Sequence, residues 1–454
     1  MGSLLRRVAG LHLFRGVLED DVGRAFLGLL SGLAGGKIDA ADIVGSYARL
    51  FSLLAWEDKS LSVPTVGDPW QNHLLDRLLV DENPFSRRAE RGPMDSMGPS
   101  LLEAARSDLE TLHRLFLLDG AGVLGMMRDL LGGEADGLVP WGRLQPASTQ
   151  PDVPDANVPS IKARLAASSH WPSLLEELAR HYAEAGAGDF ALFRAFRWVR
   201  RDGVGRLEGV SHPDPISLEE LVEYDLERAL LLQNTEQFVA GFPANNVLLY
   251  GDRGTGKSST VKALLNRYGH RGLRLVEVPK ALLGDFPRIL AALRGRRERF
   301  VLFVDDLSFD ERETTYKDLK AVLEGSLEAR PENVLVYATS NRRHLVQERF
   351  GDRLEGDGEI RREDTHQEKL SLADRFGITL IFSTPDQGRY LRIVESLARA
   401  RGLPIDPADL RSRALRWAAH QGGFSGRTAR QFVDHLEGQI GLDSLRGGTA
   451  CRPE

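Results

Sequence analysis

The sequence predicts an α/β chain in three parts: a mainly helical N-terminal region, a parallel sheet covered by helices on both faces, and a small helical lid. Three observations carry this. Over residues 1–205, apolar residues recur at three- and four-residue spacing, as in "AADIVGSYARLFSLLAW", "SLLEAARSDLETLHRLFLL" and "SLLEELARHYAEA". Over 206–384, the short β-branched or aromatic runs "NVLLY", "LRLVEV", "RFVLFVDD", "NVLVYATS" and "GITLIF" alternate with helical segments such as "SSTVKALLNRYG" and "TYKDLKAVLEGSLEA". Over 385–444 the strands vanish and three helical patterns remain, followed by a short tail at 445–454.

The N-terminal helices are separated by "DENPFSRRAERGPMDSMGPS" and "RLQPASTQPDVPDANVPS", where prolines remove helical hydrogen bonds, and a subdivision is expected near 141–160. A length of 454 residues is enough for two or three cores. With 42% hydrophobic and 27% charged residues, and no apolar run near the ~20 residues of a membrane span, a soluble cytoplasmic protein without a membrane partner is expected. The opening "MGSLLRRVAGLHLFRGVLEDD" reads as an amphipathic helix, since acidic residues follow early and no small-residue cleavage site appears. Cys451 is the only cysteine, which excludes an internal disulfide and a cysteine zinc site. The 11 histidines show no metal-ligand spacing. A net charge of -6 argues against a chain that coats nucleic acid.

The chemistry concentrates in the middle part. "GDRGTGKSS" follows a strand and opens a helix, and Gly251, Gly256, Lys257 and Ser258 satisfy GxxxxGK[ST]. Glycines allow the tight turn that points successive N–H groups of Asp252, Arg253, Gly254, Thr255, Gly256 and Ser259 toward phosphate oxygens. Lys257 is placed to neutralise phosphate charge, and Ser258 to offer a hydroxyl to Mg²⁺. "FVLFVDDLSF" ends a buried strand on Asp305 and Asp306, at the carboxyl edge where such sheets bind ligands. Asp305 is assigned to the Mg²⁺ shell and Asp306 to the attacking water. A strand end that merely turns out through two solvated aspartates is the plainer alternative, and the phosphate loop before it makes that reading the weaker one.

"NVLVYATSN" sets Asn341 at the end of another strand, where its amide can report on the terminal phosphate or cap the next helix. Arg375, in "LADRFGITLIF", precedes the last strand and could complete a neighbouring subunit's site. In "GGFSGRTARQF", Arg427 and Arg430 share one helix face, and Arg427 is preferred for the phosphate. The arginine-rich "RILAALRGRRERF" reads as a solvated helix end, and "DRLEGDGEIRREDTHQEKL" as a charged loop.

With these five elements in order, residues 206–444 resemble the AAA+ superfamily of P-loop ATPases: Walker A, Walker B, sensor 1, arginine finger and a sensor 2 in a helical lid. "LADRFGITLIFSTPDQGRYLRIVESLARARGLPI" is similar to the same region of bacterial replication initiators and loaders. "NTEQFVAGFPANNVLLYGDRGTGKSS", "YKDLKAVLEGSLEARPENVLVYATSNRRHL" and "SLADRFG" look like the bacterial AAA+ family termed domain of unknown function 815. The resemblance implies ATP and Mg²⁺ as ligands, hydrolysis, and homo-oligomers built through the ATP sites, with an unidentified protein as a further partner. Many AAA+ chains end Walker B on Asp-Glu, whereas Asp305-Asp306 is one methylene shorter, which suits a slow switch. Two alternatives remain open: a nucleotide-gated binding module with negligible turnover, and a DNA-associated initiator or loader.

Overall fold

The computed structural model describes residues 1–35, 39–56, 65–144, 160–308, 319–320, 323, 330–341 and 375–448. The helix expected in "TYKDLKAVLEGSLEA", the one after Asn341, the charged loop before Arg375 and Cys451 lie outside the described residues, the first apart from Leu319, Lys320 and Leu323. The chain forms two compact units, Met1–Leu192 and Phe193–Glu454.

In the first unit the helices are α1 (Gly2–Ala9), α2 (Asp21–Ala34), α3 (Ala40–Trp56), α4 (Pro69–Val80), α5 (Pro84–Ala89), α6 (Pro99–Phe116), α7 (Gly120–Leu131), α8 (Ile161–Ala167), α9 (Leu175–Ala185) and α10 (Asp189–Leu192). Their apolar stripes meet in one core in which the ring of Phe26 stacks on Trp70 at 3.6 Å and Trp141 and Trp171 are fully buried. Polar residues tie this core together. Lys162 of α8 and Asp76 of α4 form a buried ion pair of 2.6 Å, while Asp108 of α6 accepts from the backbone N–H groups of His12, Leu13 and Phe14.

The second unit begins earlier than the boundary expected at 205. A hairpin of β1 (Ala195–Arg201) and β2 (Val204–Gly209) spans that position, and β1 pairs in parallel with a strand of the main sheet. "AFRWVRR" hides this strand among arginines, of which Arg197 meets Glu277 and Arg200 meets Asp285. After α11 (Asp225–Val239) come β3 (Val247–Gly251), α12 (Lys257–Tyr268), β4 (Leu273–Glu277), α13 (Phe286–Leu293), β5 (Arg299–Val304), β6 (Val334–Ser340) and β7 (Ile378–Phe382). The seven-stranded sheet has the order β2-β1-β4-β5-β6-β3-β7 and is parallel throughout except for the hairpin. Every residue of β6 is buried, and all but the first of β5, which is why both read as unbroken apolar runs.

From β3 the chain crosses to β4 on one side, and from β6 it proceeds to β7 on the other. The carboxyl ends of β3 and β6 therefore flank a crevice at the point where the winding reverses, the usual ligand position in such sheets. Three helices, α14 (Gln387–Ala400), α15 (Pro407–His420) and α16 (Gly426–Gly448), close over their own core of Tyr390, Val394, Leu410, Phe432 and Val433 and form the lid. Asp386 and Asp406 cap the first two by accepting from Arg389 and Asp409 backbone N–H groups. The largely parallel sheet with its phosphate loop after β3 and its helical lid makes this an α/β core of the kind the sequence predicts.

Candidate nucleotide site

The phosphate loop joins β3 to α12. Its shape depends on glycine at three places: Gly251, Gly254 and Gly256 have φ of 146°, 77° and 95°, conformations that side chains disfavour. Gly256 stands at the helix start, so the free N–H groups of the first turn of α12 face the crevice. Lys257 is 6% exposed and its Nζ donates to the carbonyls of Gly251 at 2.8 Å and Asp252 at 2.6 Å. Burial pulls its pKa below the ordinary lysine value, opposed by the carboxylates of Asp252, Asp306 and Asp305.

The other wall is the carboxyl end of β5 and β6. Asp305 Oδ1 accepts from Ser258 Oγ at 2.6 Å and from Thr339 Oγ1 at 2.5 Å. Asp306 adopts a left-handed φ of 51°, which turns its N–H onto Asp305 Oδ1 and Thr339 Oγ1, and its carboxylate accepts from Asn341 Nδ2 at 2.6 Å. Aspartate tolerates this conformation better than most residues. A hydroxyl and a carboxylate oxygen side by side, next to a phosphate loop, form the hard oxygen set that Mg²⁺ takes from protein before phosphate and water fill its octahedron. Ser258 and Asp305 thus fit the metal assigned to them.

These walls enclose a cavity of about 630 Å³. Arg253, Gly254, Thr255, Gly256, Lys257, Ser258, Ser259, Asp305, Asp306, Asn341, Arg427 and Arg430 line it, together with Thr339. Gly251 underlies the loop, and Asp252 is turned out of the cavity, its carboxylate accepting from Thr384. Of the two lid arginines, Arg430 reaches Glu220 at 3.5 Å, whereas Arg427 anchors its backbone N–H on the carbonyl of Gly254 at 3.1 Å. Arg375 is exposed and does not line the cavity.

Sequence reading missed the far wall. Leu221, Val222, Tyr224 and Arg228 line the cavity together with Ile393 and Leu397 of the lid. Glu223 and Tyr224 have φ of 72° and 59°, and Glu223 binds Arg392 at 2.6 Å and Arg389 at 3.6 Å across to α14. The apolar spacing of "ISLEELVEYDL" imitates a helix start, so this segment carried no signal of its own. Thr339 was missed as well, although its place two residues before Asn341, at the polar end of a buried strand, marks it.

Residues 191–440 match the sequence profile of a family described as "Protein of unknown function (DUF815)", more than half of the chain. The chain belongs to this family. Among solved structures, this DUF815 chain is similar to the RuvB Holliday junction branch migration motor of Thermotoga maritima, at 18% identity and a TM-score of 0.36, over 51% of this chain and 67% of that one. A variant of the same protein gives 17% identity and a TM-score of 0.32, over 48% and 72%. No curated protein matches. Among the described residues of the DUF815 chain, no helix is long and apolar enough to cross a membrane.

Proposed function

We propose that this chain binds ATP with Mg²⁺ and hydrolyses it slowly, using the change of nucleotide state to drive assembly or remodelling of a partner. The observation that carries the reading is the convergence of Ser258, Asp305, Thr339, Asp306 and Asn341 on one side of a phosphate loop, bonded to one another at 2.5 to 3.2 Å. The N–H groups of the loop and the start of α12 receive the phosphate oxygens, and Lys257 leaves its carbonyl partners to neutralise them. Ser258 and Asp305 hold the metal, which when bound supplies charge neutralisation of the phosphate oxygens. Asp306, steadied by Asn341, orients the attacking water and takes its proton as the new oxygen–phosphorus bond forms and the bond to the leaving diphosphate breaks. Arg427 lies over the loop from the lid and couples lid position to the terminal phosphate. The apolar strip of Leu221, Val222, Tyr224, Ile393 and Leu397 receives the base. Arg375 serves the site of a second copy of the chain.

Because Lys257 is engaged by the carbonyls of Gly251 and Asp252, phosphate binding requires these bonds to exchange, in keeping with a slow switch. Asp306→Asn is expected to lower phosphate release by about 10²–10⁴-fold while MgATP binding stays within a few-fold of wild type, measured by coupled phosphate release and calorimetry. Equal turnover in that variant removes Asp306 from its role. Tight MgATP binding with no release in the wild type identifies a nucleotide-gated binding module instead.

A further inference from the structure

A carboxylate inside a phosphate-binding loop opposes the ligand, so Asp252 calls for an account. Its backbone N–H donates to the carbonyl of Phe382 at 3.3 Å, and its carbonyl accepts from Lys257 Nζ at 2.6 Å and Thr255 Oγ1 at 2.9 Å. Its carboxylate points the other way, to Thr384, accepting from the backbone N–H at 3.2 Å and from Oγ1. Thr384 lies between the end of β7 and Asp386, which caps the first lid helix. The linker that carries the lid is therefore fastened to the same loop residue whose carbonyl holds the phosphate-binding lysine. Two residues on, the carbonyl of Gly254 accepts from Arg427 N–H, and a side-chain carbon on Gly254 would lie only 3.0 to 3.2 Å from Ser425 and Arg427. The lid thus holds the loop at two points, Asp252 through its entry linker and Gly254 through the start of its last helix.

We infer that Asp252 is a positioning residue, and that the Asp252–Thr384 bond transmits occupancy of the phosphate loop to the lid. The inference rests on the nucleotide reading above. When Lys257 leaves the Asp252 carbonyl for phosphate, the peptide of Asp252 loses a partner and settles anew, and the carboxylate carries that shift to Thr384 and α14. Any cost of the negative charge to phosphate affinity is offset by this coupling.

The test compares the full chain with Asp252→Ala, Thr384→Val and Thr384→Ser by MgATP calorimetry, steady-state phosphate release, and amide exchange over 387–400 and 426–436 with and without MgATP or a non-hydrolysable ATP analogue. Asp252→Ala is expected to bind MgATP as tightly as wild type or more so, and Thr384→Val within about threefold. Both lose nucleotide-dependent protection of the lid and about three- to tenfold of kcat, the range set by one hydrogen bond of ordinary net strength. Thr384→Ser, which keeps the hydroxyl, recovers most of both. Wild-type protection and kcat in Asp252→Ala and Thr384→Val overturn the inference. So does weaker MgATP binding in Asp252→Ala alone, which makes Asp252 a ligand contact. If Asp252→Ala fails to fold by thermal melting, the Thr384 pair decides by the same readouts. A wild-type chain that neither binds nor hydrolyses MgATP refutes the ATPase reading instead.

Discussion

Gly251 shows how much of the site is set by single residues. With φ at 146°, a side-chain carbon there would stand 1.9 Å from the carbonyl oxygen of Phe382 on β7, so backbone meets backbone and neither can yield. Gly251→Ala should cost about 2 to 4 kcal/mol, from strain plus a forced shift of β7, and should abolish MgATP binding. Urea unfolding and calorimetry check both. A second residue-scale prediction concerns pH. Burial raises the Asp81 carboxyl at the end of α4 to about 6, against the bond from Asn83 Nδ2 at 2.6 Å. Its folded pKa lies above its unfolded one, so the folded state holds the extra proton between about pH 4 and 6 and stability falls as pH rises through that window. Asp81→Asn should flatten the decline and add about 1 to 3 kcal/mol at pH 7, read from melting curves at pH 4.5 and 7. The phosphate loop was legible in sequence because its function fixes residue types at fixed spacing over eight positions. The bond from Asp252 to Thr384 was not, since it depends on which strand ends fold side by side.

At the level of elements, the sequence revealed what periodicity encodes. The strands β3 to β7 and the three lid helices stand where apolar runs and capping residues put them. The hairpin β1–β2 and the wall at 217–224 do not have such a signature. The first alternates arginine with aromatic residues, and the second imitates a helix until α14 and Glu223 claim it. Polar caps show the same limit in the helical unit. Asp68 accepts from Gln71 N–H at 2.9 Å to cap α4, and the Gln71 side chain answers by accepting from Asp68 N–H at 2.9 Å. The capping half could be found in sequence. Nothing local shows that the second oxygen of Asp68 also accepts from Gly120 N–H at 2.7 Å and Trp141 Nε1 at 2.9 Å, joining α4, α7 and the turn at Trp141. With Asp68 at 9% exposure, Asp68→Ala strands two buried donors as well as removing a cap, and about 2 to 4 kcal/mol should be lost. The near-UV circular dichroism of the buried tryptophans during urea unfolding measures it, and an unchanged midpoint would show that α7 and Trp141 hold themselves.

For the molecule as a whole, the decisive residue is Arg375. In the sheet, β7 runs beside β3 with Ile378 opposite Val247 and Phe382 opposite Gly251, and Arg375 comes three residues before Ile378. At roughly 3.3 Å per extended residue, the strand alone separates it from the phosphate loop by well over 10 Å, and the approach adds to this. An arginine side chain spans less, so Arg375 cannot serve the nucleotide of its own chain. If it acts on nucleotide, it acts on a second copy, and hydrolysis must then depend on association. Phosphate release per chain is expected to rise with protein concentration, and MgATP to raise the mass seen by light scattering. Arg375→Ala should still bind MgATP yet lose about 10³-fold or more of turnover, the usual worth of an arginine supplied in trans. Mixing Arg375→Ala with Asp306→Asn gives the sharper result. Each variant is defective alone, but an interface that joins the intact Asp306 site of one to the intact Arg375 of the other is complete, so the mixture should regain a substantial fraction of activity. A chain that stays monomeric with MgATP, or a mixture no more active than its parts, would leave Arg375 a surface residue of one subunit.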